Sequence, residues 1–223
     1  MSIHFKSVLG AVAVAAFVQS AQAANIIDST YGTGAGSFEL GNYVANGGLP
    51  NDPFDRLAAG STTITGWTVI GPTIDWLNNP NHLALDGTKS VDLKGDFGPD
   101  CSLSTLLPTT AGWLYQVDFD SYGGSLNIAQ TGRIAAGSLN TTFLSPGTFD
   151  PSTATYHHFT FNFTALSSST LLTFSSVNSN GFGPVIDKVS VTPVPLPNAA
   201  VMGAMVGLPL LAGGVLRKRR QRV

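Results

Sequence analysis

The chain has 223 residues, of which 43% are hydrophobic and only 11% are charged, so it can bury a core and is not a disordered polyelectrolyte. All 13 Asp and Glu lie between residues 24 and 216, where only five Lys or Arg occur, and this region therefore has a formal charge of −8. A region this acidic repels phosphate backbones, which argues against a nucleic-acid partner.

The first 23 residues predict a secretory signal peptide. Lys6 supplies a basic start, Val8–Val18 is an apolar run, and Ala21–Ala23 has the small-x-small pattern of a cleavage site. The alternative is an uncleaved membrane helix, which needs about 20 apolar residues, and this run has roughly half that number. We therefore expect export and cleavage after Ala23.

Residues 25–192 predict one all-β domain. Apolar residues alternate with mostly polar ones in two runs, Trp113–Phe119 and Phe159–Phe163, as in antiparallel strands with one buried face. Gly, Pro and Asn clusters separate short strands of this kind, which favours a β-sandwich. The further predicted strands are Thr62–Ile70, Ser90–Lys94, Ser102–Leu107, Ser125–Ala129, Leu139–Leu144, Thr170–Ser175 and Val185–Thr192.

The stretch Asn42–Gly60 lacks alternation and carries Pro50 and Pro53, so it is predicted to be a long loop. Long loops inside compact domains are often functional, but a covering loop without a ligand fits the sequence equally well.

The C-terminal part has three segments. Residues 193–198 form a Pro-rich spacer that contains Pro195, Leu196 and Pro197. Residues 199–216 are apolar and would span about 27 Å as a helix, close to the ~30 Å hydrocarbon core of a bilayer. Residues 217–223 form a basic tail that is expected to stay cytoplasmic, and its charged residues are Arg217, Lys218, Arg219, Arg220 and Arg222.

This order of Pro motif, apolar run and basic end resembles a PEP-CTERM sorting tail, with Leu196 in place of the usual Glu. The resemblance implies a bacterial host that makes exopolysaccharide, and an exosortase-type membrane protease that cuts near the Pro motif. The expected location is an inner-membrane-anchored precursor, and after processing the cell surface or the extracellular matrix. The alternative is a plain membrane anchor that is never cut.

Six motifs in sequence order resemble the bacterial choice-of-anchor C domain, a relative of the plant cell-wall domain of unknown function 642. The motifs are Gly36–Glu39, Ile64–Val69, Ile74–Trp76, Leu85–Leu93, Tyr115–Phe119 and Gly183–Val191. The resemblance implies a galactose-binding-like jelly-roll sandwich, an extracellular location and contact with polysaccharide. It implies no known activity.

A structural calcium ion is expected from the same resemblance. In galactose-binding-like carbohydrate modules, a Glu in an early Phe-Glu motif often meets an Asp of the last strand at Ca²⁺, and these positions match Glu39 and Asp187. Carboxylate oxygens are hard ligands that suit this ion. Asp187 shares a face with Val185, Val189 and Val191 if its strand is regular, so it needs a partner. Lys188, a backbone turn or water at the strand end are the alternatives to a cation.

Sugar binding would use an aromatic platform beside polar side chains, and Trp76 with Asp75 is the best exposed candidate. Trp67 and Trp113 are predicted to belong to the core, and a core position for Trp76 is also open. Cys101 has no partner for an internal disulfide and is predicted to be a small buried residue.

Motifs of hydrolytic enzymes are missing from the sequence. It contains neither a Gly-x-Ser-x-Gly elbow nor a His-Glu-x-x-His motif, and the adjacent His157 and His158 would point to opposite faces of a strand. The sequence therefore favours a non-enzymatic surface or matrix protein that contacts polysaccharide. The alternative is a hydrolase of matrix glycans that uses a pair of its scattered Asp residues.

We predict that the mature protein begins at Ala24 and lacks residues 199–223, because both ends carry processing signals. Intact-mass measurement on protein purified from the native host checks this. A mature mass that still includes the apolar run would contradict the sorting signal and leave the plain anchor.

Overall fold

The computed structural model describes residues 23–49, 52–95, 101–124, 127–148, 150–177 and 181–195. The predicted signal peptide up to residue 22 lies outside the described residues, as do residues 196–223 with Leu196, Pro197, the apolar run and the basic tail. Within the described ranges, no helix is long and apolar enough to cross a membrane.

One short helix, α1 (Ile26–Tyr31), precedes the strands. The described part of the chain then forms β1 (Gly47–Leu49), β2 (Asp52–Ala58), β3 (Thr68–Val69), β4 (Thr73–Asn78), β5 (Lys89–Asp92), β6 (Ser102–Pro108), β7 (Leu114–Gly123), β8 (Gln130–Ala136), β9 (Leu139–Ser145), β10 (His157–Thr164), β11 (Ser169–Ser176) and β12 (Pro184–Pro193).

The strands form two antiparallel sheets. The seven-stranded sheet has the order β1-β2-β4-β5-β12-β7-β10, and the five-stranded sheet has the order β3-β6-β11-β8-β9. From β5 onward the chain passes from one sheet to the other at nearly every connection, as in a jelly roll. The prediction of an all-β sandwich is therefore confirmed.

The core between the sheets is rich in aromatic side chains from the two runs that alternate in the sequence. Phe119 pairs with Phe159, and Tyr115 with Phe163, in the register of β7 and β10. Their rings stack with centroid distances of 5.2 Å and 5.3 Å. Full burial of one such side chain contributes about 2–3 kcal/mol, so these pairs fix the register of β7 and β10.

The N-terminal segment is bonded to an irregularity in β12. The pairing of β12 with β7 shifts between Asp187 and Ser190, and Lys188 has a φ of 53°, which marks a bulge. Val189 donates its N–H to the carbonyl of Gly36 at 2.9 Å. Because of this bulge, β12 is not the regular strand that the sequence analysis assumed, and Asp187 does not share the face of Val189.

The side chain of Asn25 connects α1 to the same region of β12. Its side chain accepts a hydrogen bond from Ile27 at the start of α1 and another from Val191 in β12, at 3.1 Å and 3.0 Å. A single amide thus caps the helix and attaches it to the last strand.

Three sequence predictions were wrong in part. Of Thr62–Ile70, only Thr68–Val69 is a strand, because Gly66 has a φ of 83° and turns the chain. The predicted loop Asn42–Gly60 contains the hairpin of β1 and β2, and Pro53 lies outside the part of β2 that pairs with β4, so its missing N–H is tolerated. In Ser125–Ala129, the described residues 127–129 are not a strand, and β8 begins at Gln130.

The sequence analysis also missed β4. Four consecutive residues of this strand, Ile74 to Leu77, are buried, because other parts of the chain pack on both faces of the sheet there. A strand with two covered faces loses the alternation that reveals a half-exposed strand.

We predict that Gly36→Ala destabilises the domain by about 3 kcal/mol and lowers its melting temperature by about 6–12 °C. An added Cβ would lie 2.1 Å from the carbonyl oxygen of Val189, so the N-terminal segment would have to move off β12. Thermal melting checks this.

The matched control is Gly60→Ala. Gly60 has a φ of 80° and nothing within 4 Å of an added Cβ, so only the backbone penalty of about 1–2 kcal/mol applies. Equal melting shifts in the two variants would contradict the close packing at Gly36.

Candidate functional site

One face of the seven-stranded sheet is turned away from the five-stranded sheet, and we call it the outer face. In β4, Ile74 and Trp76 belong to the core cluster, so the alternate residues Asp75 and Leu77 lie on the outer face. In β5, Val91 belongs to the core and Asp92 lies on the outer face. Strand alternation thus places several polar side chains on this side.

Two segments cover the centre of the outer face. Residues 79–88 and residues 150–156 are joined there, because Tyr156 donates its hydroxyl to the carbonyl of Leu83 at 2.7 Å and Leu83 donates its N–H to Pro151 at 3.0 Å. A second hydrophobic cluster lies beneath them, formed by Leu77, Tyr122, Ala154 and Val185 with Phe54 and Tyr156 packed against it.

A cleft of about 290 Å³ opens beside these segments, and we call it the outer-face cleft. It combines aromatic, cationic and acidic side chains. Its lining is formed by Phe54, Arg56, Asp75, Leu77, His82, Asp92, Lys94, Gly124, Pro151, Gly181, Phe182 and Val185.

Arg56 and Asp75 form a two-pronged ion pair across β2 and β4. Nε and Nη2 of Arg56 donate to the two carboxylate oxygens of Asp75 at 2.8 Å and 2.9 Å. The Arg56 side chain is 36% exposed and that of Asp75 only 9%. The guanidinium also lies over the ring of Phe54, at 4.9 Å from its centroid. Both side chains are therefore held in place before any ligand arrives.

Asp92 faces Asp75 across the β4–β5 pair. One of its oxygens accepts N–H groups from Lys94 at 2.9 Å and from Gly183 at 3.1 Å. Burial, and then the charge of Asp75, raise the pKa of Asp92 well above its usual range. The described part of the cleft therefore combines a carboxylate paired with a guanidinium, at Asp75, with a carboxyl group at Asp92 whose raised pKa favours the protonated form.

Glycines allow the rim of the cleft to approach Asp92 closely. An added Cβ at Gly183 would lie 2.7 Å from an oxygen of Asp92, and Gly124 donates its N–H to the carbonyl of Gly183 at 2.9 Å. A side chain at Gly183 would displace the carboxyl group from its two N–H donors.

The prediction that Trp76 is an exposed sugar platform was wrong. Trp76 is 1% exposed, and its indole N–H donates to the carbonyl of Phe38 at 3.1 Å inside the core. The neighbouring Asp75 does line the cleft, but its partner there is Arg56. Trp67 is buried, as predicted, and donates to Ala35 at 2.8 Å.

Trp113 was predicted to be a core residue and is instead 47% exposed. It precedes β7 at a turn where Gly112 has a φ of 81°, so it does not continue the alternation of that strand. Trp113 lines a second, apolar pocket of about 370 Å³ with Ala23, Pro193, Val194 and Pro195. Val194 donates its N–H to Leu114 at 2.9 Å, so this pocket lies where β7 starts and β12 ends.

The two predicted calcium ligands accept hydrogen bonds from opposite ends of one loop, residues 85–89. One oxygen of Asp187 accepts the N–H groups of Leu85 and Asp86 at 2.7 Å and 3.0 Å. One oxygen of Glu39 accepts the N–H groups of Thr88 and Lys89 at 2.7 Å and 2.6 Å.

The remaining oxygens of these two carboxylates are also bonded. Lys188 donates its N–H to Asp187 at 2.6 Å, and the hydroxyl of Thr88 donates to Glu39 at 3.1 Å. Backbone N–H groups are therefore partners of Asp187 in this fold, which agrees with the backbone-turn alternative to a cation. In the described ranges, no group of three or more His, Cys, Asp or Glu could hold a metal ion. The calcium ion stays a prediction.

Two further residues from the sequence analysis fall outside the cleft. Cys101 is buried and unpaired, as predicted. His158 lies on the outer face of β10 between Asp120 and Asp118, with its ring nitrogens 3.2 Å and 3.5 Å from their carboxylate oxygens.

Sequence reasoning missed most of the residues that line the cleft. Arg56 lies in a stretch that was interpreted as loop, and Asp92 appears in the sequence as one of many scattered acids. The available signal was composition: Arg56 and Lys94 are two of only five basic residues between 24 and 216.

Comparison with known proteins gives matches to a family, a sequence relative and solved structures. Residues 35–192 match the family described as "Protein of unknown function (DUF642)". Halomucin of Haloquadratum walsbyi (strain DSM 16790 / HBSQ001) is 30% identical over 174 residues, which cover 71% of this chain and only 2% of that protein.

Among solved structures, the CBM22-1 xylan-binding domain of Paenibacillus barcinonensis Xyn10C superposes with a TM-score of 0.45 at 12% identity, covering 66% of this chain and 97% of that one. A family 35 carbohydrate binding module from Clostridium thermocellum gives a TM-score of 0.42 at 11% identity, covering 61% and 97%.

We predict that Asp187 makes the stability of the domain fall as the pH rises from about 4 to about 7. Burial raises its pKa from 3.8 to about 7, although N–H groups of Asp86, Leu85 and Lys188 oppose the shift. Between these two values the unfolded chain has lost the proton and the folded chain keeps it, so rising pH favours unfolding. Above about pH 7 this loss is complete. Melting temperatures across this range, measured in chelator, check the direction.

The variant Asp187→Asn removes this titration, so its profile should be flatter than that of the wild type. The raised pKa of Asp92 acts in the same direction and remains in the variant. Repeating the series with calcium tests the predicted ion, because a shared Ca²⁺ would keep Asp187 ionised and raise the wild-type melting temperature. An identical pH slope in wild type and variant would contradict the role of Asp187.

Proposed function

This chain belongs to the DUF642 family, whose members are described as proteins of unknown function, and we propose that it is an exported, non-catalytic protein that binds polysaccharide in the outer-face cleft. The observation that carries the proposal is the composition of that cleft. Ligand pockets combine apolar walls with a few fixed polar groups, and here two Phe side chains accompany a fixed ion pair.

Phe54 and Phe182 supply apolar surface for the C–H face of a sugar ring. The fixed pair of Arg56 with Asp75, together with the carboxyl group of Asp92, supplies hydrogen-bonding groups for hydroxyls. The cleft volume of about 290 Å³ lies at the lower end of the range for small-molecule pockets, so it suits one or two sugar residues.

The location proposed for this activity follows from the two ends of the sequence. The signal-like start exports the domain, and the PEP-CTERM-like tail holds it in the inner membrane until an exosortase-type protease cuts near Pro195–Pro197. The processed domain then belongs to the cell surface or to an exopolysaccharide matrix, and the cleft would attach it to that matrix. The choice-of-anchor C relationship and the galactose-binding-like class belong to the same proposal.

A second candidate function is hydrolysis of a matrix glycan, and the pair Asp75 and Asp92 favours it. The two carboxyl groups lie opposite each other on one face of neighbouring strands, and the pKa of Asp92 is raised well above its usual range by burial and by the charge of Asp75. A proton-bearing acid beside an ionised carboxylate is the arrangement that glycosidases use. Release of new reducing ends by the wild type, abolished in Asp92→Asn, would establish this function.

We predict that Phe182→Ala weakens polysaccharide binding by the mature protein at least about tenfold, since it removes one aromatic wall of the cleft. Affinity electrophoresis against a panel of soluble polysaccharides measures the change. Circular dichroism confirms that the variant keeps its β structure.

Trp113→Ala is the matched control, because Trp113 is an exposed aromatic side chain outside the cleft. We expect it to bind as the wild type does. Loss of binding in Trp113→Ala with retention in Phe182→Ala would move the site to the apolar pocket, and no binding by the wild type to any polysaccharide would overturn the proposal.

A further inference from the structure

The few cations of this acidic domain are distributed unevenly. Between residues 24 and 216, five Lys or Arg stand against 13 acids, which gives a formal charge of −8. Two of these five cations, Arg56 and Lys94, line the outer-face cleft together with His82. The acidic surface around the cleft therefore repels anionic groups, whereas the cations of the cleft attract them.

The other three cations lie outside the cleft. Lys89 lies over the ring of Tyr43 at 5.0 Å from its centroid and donates to Asn78 at 3.0 Å. Arg133 is exposed on β8 of the other sheet, and Lys188 is exposed at the bulge of β12. None of these three lines the cleft, so Arg56 and Lys94 alone place full positive charges there.

Two described acids, Asp75 and Asp92, line the cleft together with these two cations. Asp75 is ionised and paired with Arg56, whereas burial and the charge of Asp75 raise the pKa of Asp92. While Asp92 holds its proton, Asp75 is the one carboxylate among the described residues that line the cleft, and the O–H group of Asp92 is a donor. Lys94 is 1% exposed, so its charge acts from the interior, where solvent screens it weakly.

We propose that the outer-face cleft selects an acidic sugar residue, one that carries an oxyanion group on the ring, within an anionic polysaccharide. The half-exposed guanidinium of Arg56 is the first contact for the oxyanion, and the walls Phe54 and Phe182 hold the sugar ring. This inference rests on the proposed function and narrows its ligand class. A uronate carboxylate and a sulfate ester share this chemistry, and the test separates them.

The test is isothermal titration of the mature protein with three oligosaccharides: an oligogalacturonate, a sulfated galactan oligomer and a neutral xylo-oligosaccharide. We expect at least one acidic ligand to bind ten times more tightly than the neutral one at physiological salt. Arg56→Gln should lose at least tenfold for the acidic ligand, and Arg56→Lys, which keeps the charge, should lose less. The control Arg133→Gln removes an exposed cation from the other sheet and should change nothing.

A second variant keeps the proposal falsifiable if Arg56→Gln fails to fold. Wild-type affinity for the acidic ligand should fall as the pH rises and Asp92 loses its proton, because the new charge repels the ligand and the O–H donor disappears. Asp92→Asn stays neutral, so its affinity, whatever its value at low pH, should fall less than that of the wild type across the same range. Among the described residues that line the cleft, the other titratable or charged groups are Asp75, Arg56, Lys94 and His82, and all of them remain in this variant.

The outcomes are distinguishable. Equal or tighter binding of the neutral ligand would overturn the selection for acidic sugars and leave polysaccharide binding intact. Binding of none of the three ligands, or of any polysaccharide in the wider panel, would overturn both. Equal losses in Arg56→Gln and Arg133→Gln would show general charge attraction and overturn the assignment to the cleft.

Discussion

The seven-stranded sheet is covered on both faces at its centre, and the rest of the site depends on this constraint. On the inner face lies the aromatic core, and on the outer face Leu77, Tyr122 and Val185 lie beneath two covering segments. Polar side chains near this covered region lose contact with water. The same burial raises the pKa values of Asp92 and Asp187 and keeps the cleft walls in place.

Among the described residues, six acids accept hydrogen bonds from backbone N–H groups, and five of the six are Asp. Asp28 accepts from Gly36 at 2.9 Å, Asp55 from Val44 at 3.0 Å, and Asp150 from Ser152 at 2.9 Å. The short Asp side chain reaches nearby backbone with little loss of rotamer freedom. A chain poor in Lys can therefore fix its loops without ion pairs.

The sequence correctly predicted those strands that bury one face and expose the other to solvent. The runs of β7 and β10 alternate because Gln116, Asp118 and Thr160 lie on the outer face opposite the core aromatics. Alternation vanishes where both faces are covered, as in β4, and it misleads where a turn precedes the strand, as at Trp113.

The cleft could not be predicted, because it depends on register. Arg56, Asp75 and Asp92 meet only when β2 pairs with β4 and β4 pairs with β5. Nothing in the local sequence specifies those pairings. The bulge at Lys188 likewise places Val189 in the core, although Val185 and Asp187 precede it on the outer face of the same strand.

The pairing of β7 with β12 also places the described chain ends and the outer-face cleft at opposite ends of the same two strands. Both chain ends described here, Ala23 and Pro195, lie together at the Trp113 pocket, whereas Gly124 and Gly183 border the cleft at the far end of the same two strands. Ten residues of strand extend about 30 Å. An attachment after Pro195 would therefore lie about one strand length from the outer-face cleft, and cleavage of that attachment would leave the residues of the cleft intact.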